Sequence, residues 1–372
     1  MKFVVDDKIP FIKGVLEPLG HVRYLMGSAI SNPDLKDADA LIIRTRTICN
    51  RDLLAGTHVR FVATATIGTD HIDLDWCKNN DITVVSTPGS NSGSVMQYVA
   101  ASLFHIFMRY DLSPKKLTLG VIGVGNVGSK VVKMAGTLGM RVLLNDPPRE
   151  RNEGGASFVS LGKLIKESDI ITLHVPHTPT GQDSTTEMVN DKFLNDMKKG
   201  AFLINSSRGK VISENDIIKV LKEHELTGCI LDVWDNEPYL NRTLLDLAEI
   251  GTPHIAGYSL EGKANGTVMV IRELGKYFNL PITDWKPEGL VVPDRSVIDT
   301  RLYNGSTMEK VGAAIFHTYP IVEDSNNLKN DPDNFEQFRD DYRDRREFDA
   351  YTVRGNNEIL KIAGELGFRI MA

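Results

Sequence analysis

The chain has 372 residues, 41% hydrophobic and 25% charged, which is ordinary globular usage at a length where a single core gives way to two or three domains. Its 43 lysines and arginines against 49 acidic residues leave a net charge of −6, so no general basic field exists to hold nucleic acid. The three cysteines, Cys49, Cys77 and Cys229, form no CxxC pair and suit a reducing compartment. Met1 to Pro10 is too charged for a secretory leader and no apolar run reaches about eighteen residues, so a cytoplasmic protein without membrane contact is expected.

From the amino terminus, short apolar runs alternate with polar turns and amphipathic stretches of helical length. Phe3-Val4-Val5, Ala40 to Ile43, Val59 to Ala63 and Ile82 to Val85 read as parallel strands of a first α/β layer. After the loop Thr87 to Gly93, Ser94 to Tyr110 contains no breaker and predicts a long, mostly buried helix. A second α/β series follows, with strands at Leu117 to Ile122, Arg141 to Asn145, Ile170 to Leu173, Ala201 to Ile204, Cys229 to Val233 and Glu249 to Gly251. Beyond about Leu290 the pattern changes. Charges of both signs crowd Asp331 to Asp349, including Arg343, Arg345 and Arg346, and predict a solvated helix face.

The sharpest local signal is Gly123-Val124-Gly125-Asn126-Val127-Gly128, a GxGxxG directly after an apolar strand. Gly123 permits a tight turn, Gly125 lets the backbone approach a pyrophosphate, and Gly128 lets the next helix sit close to the sheet. The free N–H groups of that helix, from Asn126 and Val127 on, favour phosphate. Asp146 ends the following strand where a ribose 2′-hydroxyl would be held, which selects NAD over NADP, although Arg149 nearby leaves NADP open.

Three more elements stand at ends of strands in this second series: Asn205 to Gly209 with Arg208, Asp232 to Pro238 with Glu237, and Thr252 to Tyr258 with His254. Removing a hydride from an alcohol carbon needs a base for the hydroxyl proton and a cation to fix the substrate. Histidine titrates near neutrality, a neighbouring carboxylate orients its ring, and arginine grips a carboxylate through two parallel hydrogen bonds. His174 and His177 lack the helical spacing of a zinc pair and read as packing or cofactor-wall residues, so no metal is expected. His21, His58, His71, His105, His224 and His317 show no partner pattern.

With these motifs in this order, Met1 to about Trp285 resembles the D-isomer-specific 2-hydroxyacid dehydrogenase family. The resemblance implies that Arg208 binds the substrate's carboxylate and 2-oxygen, that His254 is the acid/base paired with Glu237, and that Asp232 faces the nicotinamide. Arg44 to Thr47, Ala63 to Asp70, Asp146 to Arg149 and His254 to Lys263 are similar to a subgroup that oxidises a phosphorylated 2-hydroxy acid with NAD. By that likeness Thr45, Thr66 and Tyr258 contact substrate, Gly257 lies by the cofactor, and the tail is a dimerisation module. Gln97 departs from the glutamate that many family members carry near the start of the long helix.

The implied architecture is α/β, with two Rossmann-like or flavodoxin-like parallel-sheet domains, a cleft between them, and a smaller α+β C-terminal dimerisation domain. Residues 1–93 and 257–286 form a discontinuous substrate domain, 94–256 the NAD domain, and 287–372 the tail of a homodimer. Arg44 and Arg46, at alternate positions of an apparent strand end, point to the same side and would hold the substrate phosphate. Arg345 or Arg346 would reach that site from a partner subunit. The remaining readings are another hydroxy acid, such as 3-phosphoglycerate or glycerate, and a dinucleotide-sensing interaction protein that keeps the fold.

Overall fold

Runs of apolar residues too short for buried helices become strands in the computed structural model, which describes Met1 to Met371. Two compact units result, one of Met1–Asn91 with Ser259–Val291, the other of Ser92–Tyr258 with the residues from Val292 onward. The chain returns to its first unit at Ser259, and the residues from Val292 onward belong to the same unit as the nucleotide-type sheet.

In the first unit β1 (Lys2–Asp6), β2 (His21–Leu25), β3 (Ala40–Ile43), β4 (Phe61–Thr64) and β5 (Thr83–Val85) form one parallel sheet in the order β2-β1-β3-β4-β5. Strand alternation feeds two cores. Phe3, Val5, Ala40, Ile42, Phe61 and Ala63 meet Val270, Ile271 and Leu274 of the helix Leu260–Phe278, whereas Val4, Leu41, Ile43 and Val62 meet Leu35, Leu54 and Cys77. The sequence pattern does not foretell β2, because an edge strand with half-exposed side chains carries no apolar run.

The second unit holds β6 (Thr118–Ile122), β7 (Arg141–Asn145), β8 (Ile170–Leu173), β9 (Ala201–Asn205), β10 (Leu226–Leu231) and β11 (Ile250–Gly251), all parallel, in the order β11-β10-β9-β8-β6-β7. The order reverses direction beside β6, and open parallel sheets bind ligands at the carboxyl ends of the strands around such a point. The long helix spans Ser92–Arg109.

The tail adds β12 (Val297–Asp299), β13 (Thr352–Arg354) and β14 (Arg369–Met371), a small parallel sheet in that order. Ile298, Val311, Ile315, Tyr319 and Val353 share one apolar cluster with Tyr98, Val99, Leu103 and Phe104 of the long helix. Gln97, completely buried, donates to the Thr318 hydroxyl at 3.0 Å and to the Arg346 carbonyl at 2.9 Å. An amide in place of the expected glutamate therefore serves as a donor to the tail. The crowded charges do not form a solvated helix face. The helix there covers only Phe335–Asp340, and Arg345 beyond it is 3% exposed.

No helix among the described residues is long and apolar enough to cross a membrane. Because tail and sheet share a core, Ile315→Ala, at a side chain with no exposed surface, is expected to cost about 2–5 kcal/mol. It should lower the melting temperature of the whole second unit in one transition, read by calorimetry.

Candidate active site

Each candidate side chain lies at the carboxyl edge of its own sheet. The glycine loop follows β6, Arg208 follows β9, Asp232 and Glu237 follow β10, and His254, Gly257 and Tyr258 follow β11; in the first unit, Arg44 to Arg46 follow β3 and Thr66 follows β4. Within each sheet, parallel topology alone puts the residue groups that follow its strands on one edge.

The glycine loop meets its requirements position by position. Gly123 has φ +84°, and a Cβ there would lie 2.7 Å from the His174 backbone; at Gly128 it would lie 2.1 Å from the Gly123 carbonyl. At Gly125 a Cβ would meet nothing within 4 Å, so backbone faces open space where a ligand could come close. The helix Asn126–Thr137 starts at Gly125 with no side-chain cap, which leaves the N–H groups from Asn126 and Val127 onward to an anion. These features fit a dinucleotide pyrophosphate.

Asp146 accepts the Val124 N–H at 2.8 Å and the Arg149 N–H at 3.1 Å, so its carboxylate fixes the loop as well as ending β7. Arg149 forks onto Glu153 at 2.7 Å through two nitrogens and also donates to the Val124 carbonyl. Its charge is thus matched inside the chain, which disfavours a 2′-phosphate.

The candidate acid/base pair is built by two loops. His254 Nδ1 lies 2.7 Å from Glu237 Oε2, while Glu237 Oε1 accepts the Trp234 N–H at 3.0 Å. Burial pushes the Glu237 pKa up, but the His254 charge and hydrogen bond, the Trp234 N–H and the Arg339 charge outweigh it and hold this carboxyl below its usual range. An ionised carboxylate only accepts, so Nδ1 carries a proton and the Nε2 lone pair is the one left to take another.

His254 itself has φ +56°, a costly backbone for a non-glycine residue. Asp232 supports it. This carboxylate, 1% exposed, accepts from the Thr252 hydroxyl at 2.7 Å, the Ile255 N–H at 2.8 Å and the Ala256 N–H at 2.9 Å. Burial, the largest influence, leaves Asp232 above the usual carboxylate range despite His254 and these bonds. Its side chain is enclosed by the loop it organises.

Arg208 is half-buried, on a turn braced by Asn205, whose Oδ1 accepts the Ser207 N–H at 3.0 Å and whose Nδ2 donates to the Arg208 carbonyl at 2.9 Å. Gly209 backs this turn onto the Trp234 backbone, 2.0 Å from where a Cβ would stand. The turns carrying Arg208 and Glu237 are therefore in direct contact. His174 bonds Thr172 at 3.0 Å, and burial pushes it down to about 3, so it stays neutral; His177 bonds Thr186 at 2.9 Å.

The paired-arginine geometry is corrected. β3 ends at Ile43, and Arg44 to Thr47 form a turn closed by the Thr47 N–H on the Arg44 carbonyl at 3.3 Å, so extended alternation does not apply. Arg44 is half-buried and donates to the Lys8 carbonyl at 3.3 Å, whereas Thr45 and Arg46 are exposed. Thr66 shares a 2.6 Å hydrogen bond with Thr64. Arg345 does not reach toward a partner subunit. It is enclosed by its own chain, and the half-buried Arg339 has its Nη2 3.2 Å from the Tyr258 hydroxyl. The sequence pattern missed Arg339 and gave Arg345 to a partner's site rather than to its own active-site loop, because only the tertiary fold brings the tail there.

Fold and site define an oxidoreductase of the dinucleotide-binding class. Residues 102–256 match the model of the D-isomer specific 2-hydroxyacid dehydrogenase NAD binding domain. An erythronate-4-phosphate dehydrogenase of Bacteroides thetaiotaomicron is 44% identical over 357 residues, 95% of this chain and 99% of that protein, and one of Porphyromonas gingivalis is 36% identical, covering 99% and 100%. Among solved structures, D-lactate dehydrogenase from Aquifex aeolicus complexed with NAD and lactic acid superposes with a TM-score of 0.64 at 27% identity, covering 75% of this chain and 96% of its own. The chain belongs to the D-isomer-specific 2-hydroxyacid dehydrogenases and, within them, to the erythronate-4-phosphate dehydrogenase family.

A carboxyl held below its usual range stabilises the fold above that range, and the contribution is lost as pH falls through its folded value. Glu237→Gln should therefore lower the melting temperature at pH ~7, and the gap from the parent should narrow as pH drops below ~4. Thermal melts across that interval read the effect.

Proposed function

We propose that this chain oxidises 4-phospho-D-erythronate at C2 with NAD, giving (R)-3-hydroxy-2-oxo-4-phosphobutanoate, a step toward pyridoxal 5′-phosphate. The observation that carries the reading is the His254–Glu237 pair at 2.7 Å, on the same sheet edge as the glycine loop and in a family of relatives that share one name.

Residues Gly123 to Gly128 would hold the pyrophosphate at a helix N-terminus, with Asp146 at the adenosine ribose and Asp232 and Gly257 on the nicotinamide side. When bound, NAD supplies the acceptor for the hydride that leaves C2. His254 takes the C2 hydroxyl proton on Nε2, and Glu237 stabilises the imidazolium that results. Arg208 orients the substrate carboxylate and favours the 2-oxygen as it becomes a carbonyl. Thr45, Thr66 and Tyr258 are assigned to substrate contacts, and Arg44 and Arg46 to the phosphate, where the exposed Arg46 is the stronger candidate.

The chain is further proposed to act as a cytoplasmic homodimer through its tail. Support comes from the exposed apolar side chains Val297, Leu302, Ile370 and Met371 there, and from three free, buried cysteines. Light scattering on the purified protein reads the oligomeric state.

His254→Asn should lower kcat by roughly two to four decades while NADH still binds, measured as NADH formation from 4-phosphoerythronate. No turnover of that acid by the parent, with turnover of 3-phosphoglycerate instead, would overturn the substrate assignment. Arg46→Ala should raise KM for the phosphorylated acid about tenfold or more, the loss of a charged hydrogen-bond partner, with KM for NAD unchanged. An unchanged KM for the acid removes Arg46 from the phosphate site.

A further inference from the structure

The segment between the helix Phe335–Asp340 and Phe348 has no regular secondary structure, yet it carries a cation into the interior. Arg345 is 3% exposed, and its Nη2 donates to the carbonyls of Ala256 at 2.5 Å and Ile255 at 3.3 Å. The guanidinium carbon lies 4.1 Å from the centroid of the Tyr319 ring, within cation–π range. Two donor nitrogens, Nε and Nη1, have no hydrogen-bond partner among the described residues.

A buried cation with idle donors is an expensive way to achieve packing, since an apolar side chain of similar volume is often no worse. What it touches accounts for its presence. Ile255 and Ala256 directly follow His254, and their N–H groups are taken by Asp232 at 2.8 and 2.9 Å. The Ala256 carbonyl goes to Arg345, and the Ile255 carbonyl is shared between Arg345 and the Tyr258 N–H at 2.9 Å. Two residues outside any helix or strand thus have both backbone groups tied by side chains of opposite charge, one from the β10 edge and one from the tail.

His254 needs such support. Its φ of +56° is not one that a histidine adopts cheaply, and its ring must hold a fixed position to take a proton from C2. A displacement of about 1 Å at a reacting group can cost around a hundredfold in rate.

We propose that Arg345 is a positioning residue for His254, clamping with Asp232 the two residues that follow it, so that the C-terminal segment and the active-site loop form one piece. The proposal rests on the reading of His254 as the acid/base. It assigns the tail a part in the chemistry of its own subunit.

The test uses the full-length chain and four variants: Arg345→Met, Arg345→Lys, Arg345→Ala and Tyr319→Leu. Arg345→Met should lower kcat about 10- to 100-fold, while KM for 4-phosphoerythronate and the Kd for NADH each move less than about threefold. Arg345→Lys, which keeps the charge and lacks the planar fork, should fall between the two. Guanidinium ion at low millimolar concentration should restore part of the kcat of Arg345→Ala and none of that of Arg345→Met, a rescue that loss of packing alone does not give. Should the Arg345 variants fail to fold, Tyr319→Leu, which removes the ring beneath the guanidinium, should show the same fall in kcat at preserved NADH affinity.

A kcat within twofold of the parent in the folded Arg345→Met protein overturns the proposal, as does a loss confined to KM. If no Arg345 variant folds, a parental kcat in Tyr319→Leu overturns it. His254→Asn, run alongside, separates the two failures: if it keeps full activity, the acid/base reading is wrong, and if it is inactive while Arg345→Met is not, only the clamp is wrong.

Discussion

The carboxylate of Asp232 is the point on which the catalytic edge of the second unit depends. It stands at the end of β10, nearly without solvent contact, and gathers the Thr252 hydroxyl and the N–H groups of Ile255 and Ala256. Those bonds bend the chain after β11 into the loop that carries His254 in a left-handed backbone. The same Thr252 hydroxyl meets Tyr98 of the long helix at 2.9 Å, and the Thr252 carbonyl accepts the Trp234 indole N–H at 3.0 Å. One buried charge therefore couples β10, β11 and the helix Ser92–Arg109 at the place where a proton must be handled.

Two carboxylates a few residues apart consequently behave differently. Glu237, paired with His254 and in reach of the Arg339 charge, stays below the usual range, whereas burial dominates at Asp232 and leaves it above. The first suits a group that must stabilise an imidazolium. The second suits a group whose task is to organise backbone. Positive charge is handled with similar economy: in a chain of net charge −6, Arg149 is matched by Glu153, Arg343 by Asp324 at 2.6 Å, and Arg345 is spent on carbonyls.

The tail changes the meaning of the fold. Solved relatives such as the Aquifex aeolicus enzyme match nearly their whole length to 75% of this chain, so the two larger sheets belong to a shared framework. Here the residues from Val292 onward share the core of the second unit, receive Gln97 of the long helix, and send Arg339 and Arg345 to the loop after β11.

Much of this was readable without a structure, and the limits follow from range. The glycine loop, Asp146, Arg208, Glu237 and His254 were legible because each sits within a few residues of a buried apolar strand, and parallel topology sends every such strand end to one edge. Edge strand β2 was not, since its half-exposed side chains break the apolar run. The disposition of Arg44 and Arg46 was misread because a turn beginning at the strand end cancels the two-residue alternation that their spacing suggested. The charge run after Asp331 looked like a wet helix, since local patterning cannot reveal that a cation will find carbonyls some ninety positions away, as Arg345 does with Ala256. The sequence by itself determined which chemistry the chain carries, because catalytic groups and their strands are near neighbours along it. Only the tertiary structure decided what holds those groups still, because the bonds that do so join segments far apart in the chain.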